Sequence, residues 1–211
     1  MSCGDASDMT PRVTAIVLAA GGSTRMGGDH KLLRSIGGQA LVTRAARAAL
    51  ESACGQVIVV TGAVAARVEA ALAGLAVTVV RNENWCEGLS SSLRCGLLAA
   101  GPGVDAALVH LADMPAIAAR DINRLIEAFD PSRPGVVVPV RQGRRGNPVL
   151  WPRERFDALL RLRGDAGARD LLRREQAGGD SCMRSVEFDH DGIFEDVDSP
   201  AQMEQLRHRL D

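Results

Sequence analysis

The sequence contains no tyrosine, two tryptophans and four phenylalanines in 211 residues, so aromatics are only 3% of the chain. Proteins that grip single-stranded nucleic acid use such rings as stacking platforms, and this chain is poorly equipped for that work. With 46% apolar residues, the core must be packed from Ala, Val and Leu as helices on a sheet. Lysine is scarcer still: Lys31 is the only one, and every other residue in the Lys+Arg total of 25 is arginine. No apolar run approaches the length of a membrane span. The polar residues 1–12, which include Asp5 and Asp8, lack the basic and apolar regions of a signal peptide and read as a disordered tail. A net charge of −1 gives no general attraction to nucleic acid or anionic membrane. The five cysteines (Cys3, Cys54, Cys86, Cys95, Cys182) form no CxxC pair, which fits reduced thiols in a cytoplasmic protein. They read as small packing residues, although Cys86 and Cys95 fall near the segment considered below. The histidines His30, His110, His190 and His208 show no metal-ligand spacing and receive no role.

A chain of this length is best read as one domain, here residues 13–211. Residues 13–19 (VTAIVLA) form an apolar run that a glycine pair soon ends, the pattern of a buried parallel strand. Further strands are expected at 56–61, 77–80, 106–111, 135–140 and 185–188, and helices at 40–52, 64–73, 90–100, 121–129, 153–160 and 166–174. Residues 141–148 read as a loop. Ser199-Pro200-Ala201-Gln202 starts a last helix, with a capping Ser, Pro at the first helical position and Gln three residues on. This alternation predicts an α/β fold, a Rossmann-like three-layer sandwich with a mostly parallel sheet covered on both faces. Ligands of such sheets bind beyond the carboxyl ends of the strands.

Two segments meet that edge. Leu18-Ala19-Ala20-Gly21-Gly22-Ser23-Thr24-Arg25-Met26-Gly27 leaves the first strand through glycines and leads to Lys31. Glycines let backbone N–H groups approach a phosphate chain, and Arg25 and Lys31 supply charge. The loop is neither a Walker A motif nor GxGxxG, and taken alone it is equally a plain turn. Lys31 adds weight, because a compact ammonium suits a triphosphate and this arginine-rich chain had arginine for general charge. Asp113, in Ala112-Asp113-Met114-Pro115 after the strand at 106–111, is placed either to hold Mg²⁺ against phosphate oxygens or to cap a local turn. A distant acidic cluster, Asp189, Asp191, Glu195, Asp196 and Asp198, is mostly solvated charge, with one member at best available to a metal. The turn Arg141-Gln142-Gly143-Arg144-Arg145-Gly146-Asn147-Pro148 suits an anionic acceptor, and Gly164-Asp165-Ala166-Gly167-Ala168-Arg169 enters a helix. Each is also read simply as a solvated loop.

Together these segments, with Asn82-Glu83-Asn84-Trp85-Cys86-Glu87-Gly88-Leu89-Ser90-Ser91-Ser92-Leu93 and Asp196-Val197-Asp198-Ser199-Pro200, resemble nucleotidyltransferases of the glycosyltransferase-A-like fold. Within that group the chain looks like the molybdenum cofactor cytidylyltransferases, from about residue 13 to residue 210. The resemblance implies the nucleotide-diphospho-sugar transferase-like fold and a nucleotide site at Leu18, Ala19, Ala20, Gly21, Gly22, Arg25 and Lys31. It places Gly88, Ser91 and Ser92 near the base, and Asp113 and Asp198 on Mg²⁺. It sets Arg144, Arg145, Asn147, Asp165 and Arg169 against the pterin, with Arg25, Lys31 and Asp113 serving catalysis. The implied reaction is transfer of CMP from CTP to the terminal phosphate of molybdopterin, for a recipient molybdenum hydroxylase, with no nucleic acid or membrane partner. Family members often have Gln where Met114 stands. Guanylyl-transferring relatives usually read Ala-Gly-Gly where this chain has Ala19-Ala20-Gly21, which together with the serine-rich segment favours cytosine. The alternatives are a guanylyl or sugar-phosphate nucleotidyltransferase of the same fold, and a cofactor carrier with little turnover.

Overall fold

A strand that is apolar apart from one threonine must lie between two layers, and all seven residues of β1 (Val13–Ala19) are buried. The computed structural model describes residues 10–22, 30–164, 167–177 and 183–210. After β1 come β2 (Ser35–Ile36), β3 (Gln39–Ala40), α1 (Leu41–Leu50), β4 (Gln56–Thr61), α2 (Ala65–Ala71) and β5 (Thr78–Arg81). They are followed by α3 (Leu89–Ala100), β6 (Ala106–Leu111), α4 (Ala119–Glu127), β7 (Val137–Arg141), β8 (Arg144–Arg145) and β9 (Val149–Pro152). The chain closes with α5 (Phe156–Leu160), α6 (Gly167–Ala177), β10 (Arg184–Glu187) and α7 (Pro200–Leu210).

The main sheet has the order β10-β7-β9-β6-β1-β4-β5, with β8 paired to β7. β1 is parallel to β4 and β6, β4 to β5, and β7 to β10, whereas β9 runs antiparallel to both neighbours. This is a single-domain α/β fold whose sheet is mixed but mostly parallel. Residues 141–148, expected to be one loop, hold a hairpin: Arg141 pairs with Arg144 across Gln142 and Gly143, both at positive φ. β9 was not anticipated at all. Its apolar stretch Val149-Leu150-Trp151 lies between two prolines and is too short to show a period.

Period-two alternation sorts β1 between two cores. Val13, Ala15, Val17 and Ala19 face the layer of α1, α2 and α4, and Ile16 and Leu18 face the layer of α3, α5 and α6. Gly96 lets α3 settle on β1, since a Cβ there would strike Ile16 Cγ2. A smaller core joins Ile36 and Leu41 to Val197, Met203 and Leu206 and fixes α7. Its start is capped nearly as expected: Gln202 N–H donates to Ser199 Oγ, while Gln202 Oε1 accepts from Asp198 N–H and Ser199 Oγ–H. No helix among the described residues is long and apolar enough to cross a membrane.

Candidate active site

Three residues far apart in sequence meet at the carboxyl end of the central strands. The tight turn after β6 presents Asp113: Ala112 N–H donates to Leu18 O of β1, and Met114 N–H donates back to Leu111 O. Met114 itself is buried in the core on the α1 and α4 side. Val197 N–H donates to Asp113 O at 2.9 Å, and the burial of Val197 in the α7 core brings Asp198 to the same place. Lys31 opens a 3₁₀ turn (Lys31–Leu33) and reaches both carboxylates. Its Nζ donates to Asp113 Oδ2 at 2.7 Å and to Asp198 Oδ1 at 2.8 Å, spanning 82 and 167 residues of sequence.

Burial alone would lower the Lys31 pKa, but the Asp113 charge and hydrogen bond, then those of Asp198, outweigh it and raise it. The two carboxylates thus favour the ammonium form. Asp113 Oδ1 is buried without a hydrogen-bond partner. That orphaned oxygen lies beside two carboxylate oxygens that hold an ammonium. Among the described residues no group of three or more His, Cys, Asp or Glu is placed to hold a metal. Two carboxylates fit an ion such as Mg²⁺, which takes the rest of its shell from water and substrate phosphates. Burial, then nearby Asp198, raises the pKa of Asp196. The rest of the acidic cluster is largely structural: Asp191 pairs with Arg141, and Glu195 with Arg209.

Among the residues expected to hold the nucleotide, the Leu18, Ala19 and Ala20 side chains are buried, so only their backbone can meet a ligand. The carbonyls of Leu18 and Ala20 accept from the N–H groups of Ala112 and Ala63, and Gly21 O lies 2.7 Å from His30 Nε2. A carbonyl only accepts, so Nε2 carries the proton, and burial holds the His30 pKa below its ordinary value. These acceptors are thus engaged before any anion arrives. Arg25 lies outside the described residues.

Gly88, at φ 99°, turns the chain from a 3₁₀ turn (Trp85–Glu87) into α3. Ser91 and Ser92 do not offer their hydroxyls to a ligand. Both are buried, both accept from Asn82 Nδ2, and Ser91 Oγ–H has acceptors in the Asn84 and Gly88 carbonyls. They shape the loop from within. Trp85, which carried no individual expectation, lies on Gly22: a Cβ at Gly22 would sit 3.1 Å from Trp85 Cζ3. A Cβ at Gly62 would come within 2.7 Å of both Trp85 Cβ and Ala20 O, so this glycine lets the two loops close on one another. The signal for Trp85 was its place in the 82–93 segment. Nothing in the sequence pointed to Gly62 or His30. Exposed Cys86 sits beside Trp85, while burial raises the thiol pKa of Cys54 and Cys95, which suits packing.

Among the residues expected to face the acceptor, the exposed Arg144 places its guanidinium 4.4 Å above the Phe194 ring. Arg145 donates to Leu172 O in α6, tying the hairpin to that helix rather than reaching outward. Asn147 N–H donates to Ile193 O, and its peptide bond to Pro148 is cis. Arg169 is exposed on α6, and Asp165 lies outside the described residues.

The fold, and the family and solved structures that the chain matches, are those of nucleotidyltransferases. The chain belongs to the MobA-like NTP transferase family, whose domain matches residues 15–179. It is 33% identical over 207 residues to nicotine blue oxidoreductase of Paenarthrobacter nicotinovorans, covering 93% of this chain and 97% of that one. It is 28% identical over 199 residues to a probable molybdenum cofactor guanylyltransferase of Natronomonas pharaonis, covering 93% and 98%. Among solved structures, a nucleotidyl transferase from Methanothermobacter thermautotroptrophicus superposes with a TM-score of 0.81 at 27% identity, covering 94% and 97%. Rv0371C of Mycobacterium tuberculosis, solved as a manganese complex, gives 0.78 at 27% identity, covering 93% and 98%.

Proposed function

We propose that the protein transfers CMP from CTP to the terminal phosphate of molybdopterin, releasing pyrophosphate and forming the cytosine dinucleotide cofactor of a molybdenum hydroxylase. The observation that carries this reading is the convergence of Lys31 on Asp113 and Asp198. An oxygen of the acceptor phosphate forms a bond to the α-phosphorus, the bond from that phosphorus to the α,β-bridging oxygen breaks, and pyrophosphate leaves with the electron pair. The acceptor is already ionised, so no side chain need act as nucleophile or base. Positioning and charge do the catalysis. Asp113 and Asp198 would hold Mg²⁺, which supplies neutralisation of the phosphate oxygens. Lys31 turns from the carboxylates to the β- or γ-phosphate, joined by Arg25. Arg144 steadies the anionic acceptor.

Cytosine is favoured over guanine by Ala19-Ala20-Gly21 in place of the Ala-Gly-Gly usual in guanylyl-transferring proteins. Pyrophosphate release across CTP, GTP and UTP, with and without molybdopterin, tests both substrate and reaction. GTP turnover equal to or faster than CTP would move the assignment to guanylyl transfer, in line with the Natronomonas relative's name. A second reading, oxidation or reduction of an organic substrate, is prompted by the name of the Paenarthrobacter relative. In that case no pyrophosphate forms with any nucleoside triphosphate.

A further inference from the structure

We propose that Trp85 is a nucleoside-recognition residue, its indole forming an apolar wall of the pocket for the base of the bound nucleotide. Of the six aromatic residues, Trp151, Phe129, Phe156 and Phe188 are buried and Phe194 lies partly covered beneath Arg144. Trp85 alone among them is more than a third exposed, at 37%. A chain with so few rings leaves one open to solvent, and it does so where β1 hands over to the phosphate loop. The contact with Gly22 fixes the position: the benzo edge occupies the space a side chain there would need, and Gly62 lets the backbone at Trp85 approach Ala20. Leu89, which follows Gly88, is also exposed, at 42%. The Ser91 and Ser92 hydroxyls are turned inward on Asn82, so neither is free to meet the base. An aromatic face accepts any planar base, and it adds affinity without choosing between cytosine and guanine.

The proposal rests on nucleotide binding at this site, and its test separates the two. Trp85 emission is followed during titration with CTP and, separately, with inorganic tripolyphosphate. The Trp85→Phe protein, which retains only the buried Trp151, serves as the silent reference. CTP should change Trp85 emission, and tripolyphosphate should bind with little change. Equilibrium dialysis should show the CTP Kd rising on the order of tenfold to a hundredfold in Trp85→Ala and within a few-fold of wild type in Trp85→Phe. Tripolyphosphate affinity should be the same in all three proteins. Equal loss of CTP and tripolyphosphate binding in Trp85→Ala would make Trp85 a structural prop and overturn the proposal. So would full CTP affinity in that variant. Should wild type bind no nucleoside triphosphate at all, the functional reading falls together with this one.

Discussion

Lys31 holds the two carboxylates that a metal would need, so removing its ammonium should strengthen metal binding while weakening nucleotide binding. The perturbation is Lys31→Met, which keeps the apolar stem and deletes the charge. The contact to Asp113 joins side chains only 17% and 19% exposed, and a charged hydrogen bond of this kind contributes on the order of 2 kcal/mol. Asp198 is 48% exposed, so solvent screening reduces that pair to about 0–1 kcal/mol. A divalent ion entering the free protein must displace both contacts. At about 1.4 kcal/mol per factor of ten, Lys31→Met should bind Mn²⁺ roughly tenfold to a hundredfold more tightly without nucleotide. The same variant should bind CTP more weakly, because the phosphate tail has lost a donor. Electron paramagnetic resonance of free Mn²⁺ reads the first quantity and equilibrium dialysis the second, with a thermal melt to confirm folding. Unchanged or weaker Mn²⁺ affinity in Lys31→Met would refute the view that the ammonium occupies the metal's place.

Asp113→Ala and Asp198→Ala should each reduce turnover steeply, and the double variant should lose far less than the two losses combined; additive losses would show that the two do not act as one site. His110, fully buried on β6 without a partner for either ring nitrogen, has its pKa lowered by burial from 6.5 to about 4. Between those values the unfolded chain binds the extra proton, so this contribution to stability is complete above the ordinary pKa and lost as pH falls towards about 4. From pH 7.5 to 5 the loss should be about 2 kcal/mol, read from urea midpoints, and His110→Leu should flatten the dependence; an unchanged slope would contradict the assignment. Gly96→Ala should cost about 1–3 kcal/mol by forcing α3 away from Ile16, and an unaltered melting temperature would show that the two elements yield easily.

The buried parallel strands were legible because continuous runs such as Val13–Ala19 leave no polar face for solvent. The capped start of α7 was legible because Ser199, Pro200 and Gln202 each carry a positional meaning. β9 was missed because a three-residue apolar run between Pro148 and Pro152 has no period, and only its neighbours β6 and β7 make it a strand. The site divides the same way. Asp113 stands at a strand end where ligands of such sheets gather, so the sequence could nominate it. Its meeting with Asp198 depends on a single backbone hydrogen bond from Val197 and on the packing of α7, neither of which leaves a local mark. The inward turn of Ser91 and Ser92 follows from Asn82, nine and ten residues away. The resemblance puts both residues near the base, and the buried Asn82 amide engages their hydroxyls.

The central claim is nucleotidyl transfer at the Lys31, Asp113 and Asp198 site, and the most direct measurement is acceptor-dependent pyrophosphate release. Purified protein is mixed with molybdopterin, Mg²⁺ and each nucleoside triphosphate in turn, and pyrophosphate is counted against dinucleotide product. One pyrophosphate per product is expected, fastest with CTP, abolished without acceptor and nearly abolished in Asp113→Ala. No pyrophosphate from any triphosphate, or release that Asp113→Ala leaves unchanged, would contradict it.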